Sequence, residues 1–205
     1  MAKKASFVFG NRGPTSTSPL QYEVTEIFDS MQGEGYWTGT PATFIRLAGC
    51  NLRCKWCDTK FERKMTLEVP DIMPFIHHHL VVITGGEPAL QVLDPLVREL
   101  QLRRHYVQVE TNGTRKIDAT PNWVTVSPKQ GMHDTYHGHE LKIVFVGQRN
   151  YELMIWQAVE RYKYFWLQPC ERNGEMNWRD TLAMVTKLGP PWRMSLQTHK
   201  MIGVK

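Results

Sequence analysis

From residue 22 onward, short runs rich in β-branched and aromatic residues alternate with polar stretches. The pattern predicts strands over residues 22–28, 42–47, 80–83, 106–109, 123–126, 141–146 and 164–167, with a last one over 193–197. Between some of them the apolar period lengthens to that of a helix. Asp94 can cap a helix with Pro95 at its first position and Leu96, Val97 and Leu100 on one face. Residues 151–162 read likewise, and 66–76 and 177–188 carry a less regular version, the former interrupted by Pro70 and Pro74. Strands alternating with helices imply βαβ units and a largely parallel sheet.

Two connections depart from this rhythm. Residues 111–122 and 127–140 are rich in turn formers and have little helical periodicity. A complete eight-unit barrel takes about 250 residues, and the chain has 205. The expected fold is therefore α/β, an incomplete TIM-like barrel with shortened or missing crossover helices. Residues 1–20, rich in Ser, Thr, Pro and Gly, are expected to form a flexible N-terminal extension, and 21–205 a single core domain.

Composition narrows the class. The chain is 41% hydrophobic and 22% charged, and its apolar runs fall far short of the roughly 20 residues that span a bilayer, which speaks against both a membrane span and wholesale disorder. The first residues offer only FVF before turn formers, so a secretory leader is not expected and the cytoplasm is. The net charge of +5 is scattered rather than gathered into a stripe, which makes direct nucleic-acid binding an unfavoured reading.

In parallel α/β sheets, ligands bind beyond the carboxyl ends of the strands. There the chain places GGEP (85–88), ETNG (110–113), SPK (127–129) and QPCE (168–171). Any one of these could serve only as a turn; their repetition after successive strands points to one shared pocket.

Three of the four cysteines are Cys50, Cys54 and Cys57, spaced C-x3-C-x2-C. Structural zinc is nearly always four-coordinate, commonly with a second ligand pair, whereas here the remaining thiol, Cys170, lies far along the chain. Three thiolates on a four-iron cluster leave one iron free to bind a cofactor or substrate. A zinc site completed by Cys170 or a histidine remains the alternative.

The cysteine spacing resembles the cluster motif of the radical S-adenosylmethionine enzymes. Together with MQGEG (31–35), FIRLAGCNLRCKWCDT (44–59), TGGEP (84–88), ETNG, SPK, QPC and QTHK (197–200), the chain from about residue 22 onward resembles the 7-carboxy-7-deazaguanine synthases. The resemblance implies that Cys50, Cys54 and Cys57 hold a [4Fe-4S] cluster whose open iron chelates S-adenosylmethionine. Cleavage of that cofactor would give a 5'-deoxyadenosyl radical that takes hydrogen from C6 of 6-carboxy-5,6,7,8-tetrahydropterin. Ring contraction and loss of ammonia would then give 7-carboxy-7-deazaguanine, with the cofactor regenerated and Mg2+ required.

The same resemblance assigns residues. Trp56, Asp58, Gly86, Glu87, Ser127, Pro128, Lys129, Gln168, Pro169, Cys170 and Glu171 fall on the S-adenosylmethionine side. Glu87 would accept a hydrogen bond from the cofactor's amine, and Gly86, lacking Cβ, would let the backbone approach it. Thr59 matches the Mg2+ ligand. Met31, Gln32, Gly33, Glu34, Arg46, Thr84 and Lys205 fall on the substrate side, with the Arg46 guanidinium suited to a carboxylate or a carbonyl edge. Trp56 is read as a shield for the cluster, Cys170 as a small buried hydrophobe rather than a fourth ligand, and His77 to His79 as a solvated helix end. A homodimer, a flavodoxin or ferredoxin as electron donor, and a product destined for queuosine or modified DNA are also implied. Two competing readings are a radical enzyme that activates a glycyl-radical partner and a zinc-stabilised nucleic-acid-binding module.

Overall fold

The computed structural model describes residues 20–129, 137–147, 161–172 and 174–205. The apolar runs become strands β1 (Gln21–Met31), β2 (Pro41–Leu47), β3 (Met65–Glu68), β4 (Leu80–Gly85), β5 (Tyr106–Thr111), β6 (Trp123–Val126), β7 (Glu140–Phe145) and β8 (Tyr164–Pro169). A small hairpin, β9 (Glu171–Arg172) and β10 (Glu175–Met176), precedes β11 (Trp192–Met194). The helices among the described residues are α1 (Val69–Ile72), α2 (Asp94–Leu102), α3 (Trp178–Leu188) and α4 (Thr198–Met201).

Among the described residues nine strands form one sheet in the order β11-β8-β7-β6-β5-β4-β2-β1-β3. From β2 to β11 all pairings are parallel, whereas β1 runs antiparallel to both β2 and β3. The sheet ends at β3 and β11 without closing, so the barrel is partial, as the chain length predicts. Among the described residues of the two turn-rich connections there is no helix, and 130–136 lie outside them. The helix expected over 151–162 also falls almost wholly outside the described residues, as do 1–19 of the N-terminal extension.

Strand periodicity separates core from cavity. On β7, Leu141, Ile143 and Phe145 join the apolar core, while Lys142 and Val144 line the interior. β5 repeats this split, with Val107 and Val109 in the core and Glu110 inward, and so does β2, with Ile45 and Leu47 against Phe44 and Arg46. On the outer face α2 buries Leu96, Val97 and Leu100 completely or nearly so, each leucine contributing about 2 kcal/mol by area.

Several local expectations are corrected. Asp94 sits inside the first turn of α2 and pairs with Arg98 at 2.6 Å, while Leu93 holds the cap position. The capping donor is met from outside: Leu93 N–H donates to Asp118 at 2.9 Å. Residues 66–76 do not form one helix. Their first part pairs with the start of β1, Gln21 opposite Glu68, and the prolines confine the remainder to α1 and a single 3-10 turn. The final strand ends at Met194, and 195–197 leave the sheet for α4. His77 and His79 are exposed after that 3-10 turn, with His77 Nδ1 2.5 Å from Asp29 Oδ2. None of the described helices is long and apolar enough to cross a membrane.

Candidate active site

A cavity of about 600 Å³ opens at the carboxyl ends of the parallel strands, lined by inward side chains of β2, β4, β5, β7 and β8 and by the loops beyond them. Of the residues singled out in the sequence, all but Glu87 and Pro128 line it.

The cysteine loop forms one wall. Cys50, Cys54 and Cys57 are free thiols facing the cavity, the first two half-buried and the third exposed. The end of β4 crosses under this loop so closely that glycine is required there. A Cβ on Gly86 would lie 1.9 Å from the Gly49 carbonyl oxygen and 2.9 Å from Cys50 Cβ. One on Gly85, at φ +142°, would lie 2.1 Å from the Leu47 oxygen. The absent Cβ of Gly86 therefore makes room for the cysteine loop itself, a closer neighbour than the cofactor expected from the sequence. Glu87 N–H donates to Gly49 O at 2.9 Å and completes the seam.

Glu87 does not turn toward the cavity. It is fully buried, and its carboxylate accepts from Thr111 Oγ1 at 2.7 Å, Asn112 N at 2.7 Å and Ala89 N at 2.9 Å. Its expected partner, a cofactor amine, is thus replaced by protein donors, and the residue ties ETNG to GGEP. Burial pushes its carboxyl above the usual range despite these donors. Asn112 carries the tie onward: its Nδ2 donates to Asn51 Oδ1 at 3.0 Å, and Asn51 Nδ2 to Thr114 Oγ1 at 2.7 Å, which fixes the residue next to Cys50. Pro128 is likewise buried outside the cavity lining.

Ser127 and Lys129 reach the cavity from the end of β6, Lys129 Nζ donating to Ser127 Oγ at 2.6 Å and standing 5.3 Å from the centre of the Trp56 ring. Burial lowers the Lys129 pKa. Burial also pushes the Cys54 thiol up, with Lys129 acting in the opposite sense. Gln168, Pro169, Cys170 and Glu171 line the cavity from the end of β8, Cys170 being 5% exposed with its thiol directed to the Glu171 carbonyl at 3.5 Å.

Opposite the cysteines, the MQGEG loop presents Gln32 and Glu34. Gln32 Nε2 donates to Glu110 Oε1 at 2.9 Å. Glu34 Oε1 accepts from Gln168 at 3.1 Å and Gln197 at 2.8 Å, and its Oε2 from the Lys142 ammonium. Burial opposes the charge on Glu34, but Lys142 and the amide donors prevail and hold its carboxyl below the usual range. Gly33 is pinned under α4, where a Cβ would lie 1.9 Å from His199 Nδ1, and its carbonyl accepts from Thr198 N at 3.0 Å. Deeper in, Tyr36 N donates to Glu140 Oε2 at 2.9 Å, and that buried carboxylate also receives Thr125 Oγ1 and the indole N–H groups of Trp123 and Trp166.

At the mouth, Arg46 Nε contacts Glu26 Oε1 at 2.9 Å, and Lys205 Nζ bonds the other oxygen of Glu26. Both cations stand over the Phe28 ring, at 5.6 and 4.5 Å from its centre. Met31 and Thr84 complete this side of the lining. Asp58 accepts from Lys200 at 2.5 Å, Gln197 at 3.4 Å and Thr59 Oγ1 at 3.2 Å. Burial opposes its charge, yet Lys200 and the other donors hold its carboxyl below the usual range. Gln197 thereby links the cysteine loop to the MQGEG loop.

Among the lining residues that carried no individual role from the sequence are Glu26, Glu110, Lys142 and His199. Glu110 was already set beside the pocket by ETNG, and Lys142 had a readable signal as a charge between the apolar Leu141 and Ile143. His199 belongs to QTHK, and its Nδ1 is buried without a hydrogen-bond partner. Among the described residues no three His, Cys, Asp or Glu side chains gather as around one ion. A cubane that takes one thiolate on each of three irons, or a magnesium ion held by a single protein oxygen, asks for no such group.

No family model matches the chain. It is 42% identical over 190 residues to the 7-carboxy-7-deazaguanine synthase of Bacteroides thetaiotaomicron, an alignment covering 91% of this chain and 100% of that protein. The Escherichia coli K12 protein of the same name is 33% identical over 225 residues, covering 90% of this chain and all of the relative. Among solved structures, QueE from Escherichia coli superposes with a TM-score of 0.72 at 30% identity, over 86% of this chain and 94% of that one. The identity and coverage, with a cavity that unites the motifs, show that the chain belongs to the 7-carboxy-7-deazaguanine synthase family of radical S-adenosylmethionine enzymes.

Proposed function

We propose that the chain converts 6-carboxy-5,6,7,8-tetrahydropterin to 7-carboxy-7-deazaguanine with loss of ammonia, in 7-deazapurine and queuosine-type biosynthesis. The observation that carries this reading is the single cavity shared by the cysteine loop and the MQGEG loop, bridged by Gln197. A nucleic-acid module or an activase gives no reason for that bridge.

The donor set fits the cofactors that the family implies. Three free thiols on one wall suit a [4Fe-4S] cluster, and Gly86 leaves space for their loop that a side chain would fill. Cys50, Cys54 and Cys57 would hold the cluster. Trp56, Asp58, Gly86, Ser127, Lys129 and residues 168–171 would border S-adenosylmethionine. When bound, the pair supplies the one-electron chemistry that removes a hydrogen atom from substrate C6. Thr59, whose hydroxyl lies beside the Asp58 carboxylate, offers hard oxygen to Mg2+.

The chain's own residues then orient the pterin. Carboxylates at Glu34 and Glu110 suit the N–H edge of its pyrimidine ring, with Gln32 holding Glu110 in place. Arg46 and Lys205 suit the substrate carboxylate, while Met31, Gly33 and Thr84 shape the walls. Free thiols fit a reducing cytoplasm. The family resemblance supports a homodimer reduced by flavodoxin or ferredoxin.

The test is anaerobic turnover of reconstituted protein with the carboxytetrahydropterin, S-adenosylmethionine, Mg2+ and a reductant. Deazaguanine and ammonia are expected in equal amounts. Protein with an intact cluster that makes no deazaguanine would refute the reading.

A further inference from the structure

At the deepest point of the cavity two carboxylates share one ammonium. Lys142, on β7, has a side chain only 4% exposed; Glu34 bonds its Nζ through Oε2, and Glu110 Oε2 stands 3.2 Å away. The two glutamates are themselves 14% and 19% exposed. They come from different elements, the MQGEG loop and β5, so no local sequence pattern brings them together.

Like-charged carboxylates in so dry a place cannot both stay charged without a counter-ion, and one of them takes up a proton. The other charged groups around the pair do not supply that counter-ion. Glu140, two residues before Lys142 on the same strand, is an anion already met by its own donors. Lys129 lies within electrostatic reach of both glutamates, but burial lowers its pKa and its Nζ bonds Ser127 Oγ rather than either carboxylate; Lys200 bonds Asp58, and burial keeps His199 toward its neutral form. The remaining polar neighbours, Gln32, Gln108, Gln168 and Gln197, donate hydrogen bonds but carry no charge.

We infer that Lys142 is a positioning residue, whose ammonium keeps Glu34 and Glu110 together as a pair of unprotonated acceptors, so that the substrate's N–H edge docks without any proton being exchanged. The inference rests on the function proposed above, since it takes the pterin edge as the group that meets the two glutamates. It assigns Lys142 no contact with the reacting atoms. The glutamates bind, and the lysine sets the state in which they do so.

Calorimetric titration of the pterin into anaerobically reconstituted holoenzyme with S-adenosylmethionine separates the possibilities, run in buffers of different ionisation enthalpy. Wild-type protein should bind with the same affinity between about pH 6.5 and 8.5 and with no linked proton. Lys142→Met should bind weakly at the acid end. It should then gain about tenfold in affinity per pH unit while releasing about one proton per pterin bound. Adding Glu110→Gln to Lys142→Met removes the repulsion together with the cation, and should abolish both the pH dependence and the proton release.

A Lys142→Met loss that is equal at every pH, with no proton released, would overturn the inference and leave the proposed function standing. Wild-type holoenzyme that binds no pterin would instead overturn the function. If Lys142→Met does not fold, the double variant decides the matter. Folding and proton-free binding support the inference, and proton release or failure to fold refutes it.

Discussion

Gly86→Ala tests whether the seam between β4 and the cysteine loop is as tight as the geometry requires. The added methyl would sit 1.9 Å from Gly49 O and 2.5 Å from its carbonyl carbon. Both are backbone atoms with no rotamer to yield, so reaching an ordinary contact means a displacement of about 1.5 Å. That movement puts at risk the bonds from Gly86 N to Leu47 O, 3.2 Å, and from Glu87 N to Gly49 O, 2.9 Å. Overpacking costs roughly 1–3 kcal/mol, and each lost backbone bond about 1 kcal/mol, a total of about 2–5 kcal/mol. At about 2–4 °C per kcal/mol for a chain of this size, Tm should fall by about 4–20 °C. Because the displaced segment carries Cys50, iron per chain after reconstitution should fall with it. Anaerobic thermal unfolding and iron analysis on the same preparation read both. A variant that keeps its full iron and melts within about 2 °C of the wild type would refute the argument.

Alanine at Cys50, Cys54 or Cys57 should abolish cluster assembly, while Cys170→Ala should keep its iron; loss of iron in the latter, measured by metal analysis, would make Cys170 a ligand. Thr59→Ala should raise the Mg2+ concentration for half-maximal activity by about tenfold or more with little change in cofactor cleavage, both read in one kinetic series. Glu26→Gln frees Arg46 and Lys205 from a shared anion at the cavity mouth. It should alter KM for the pterin more than kcat, read in steady-state kinetics. Burial raises the Glu87 carboxyl, so the folded chain binds more protons than the unfolded chain between the ordinary glutamate value and the raised one. Stability from this group is therefore greatest at acid pH and is lost as pH rises through that window. Over that window the wild-type urea midpoint should fall with rising pH relative to that of Glu87→Gln, and identical slopes for the two would refute the assignment.

The strands were legible because their alternation is dictated by a sheet that is buried on one side and lines a cavity on the other. Residues 141–146 read clearly for that reason, whereas 80–83 read as an unbroken apolar run because both faces are packed, Val81 and Ile83 in one core cluster and Leu80 and Val82 in another. The N-terminal part of 66–76 was not legible, because its strand exists only through pairing with Gln21 to Val24, a partner more than forty residues earlier in the chain. Most of the site was readable from motif and position, since strand ends converge on the cavity whatever the detailed packing. Glu87 misled because a motif names a residue and not the direction of its side chain: Thr111 and Asn112 capture the carboxylate, and they lie in a different loop.

The pairing of charges goes further than any single motif. Deep in the cavity two carboxylates face one buried ammonium, Glu34 and Glu110 with Lys142. Nearer the solvent two cations face one carboxylate, Arg46 and Lys205 with Glu26. The inner cluster thus has an acceptor to spare and the outer one a cation. A ligand that matches both ends carries N–H donors at one edge and an anion at the other, as a carboxylated pterin does, and it can enter in only one orientation without setting like against like. Reversal would put its carboxylate against Glu34 and Glu110, where low exposure leaves little solvent to screen the repulsion. On the function proposed above, orientation would then be fixed by the chain before any chemistry begins, with the carboxylate end of the substrate toward Arg46 and Lys205 and its N–H edge toward Glu34 and Glu110.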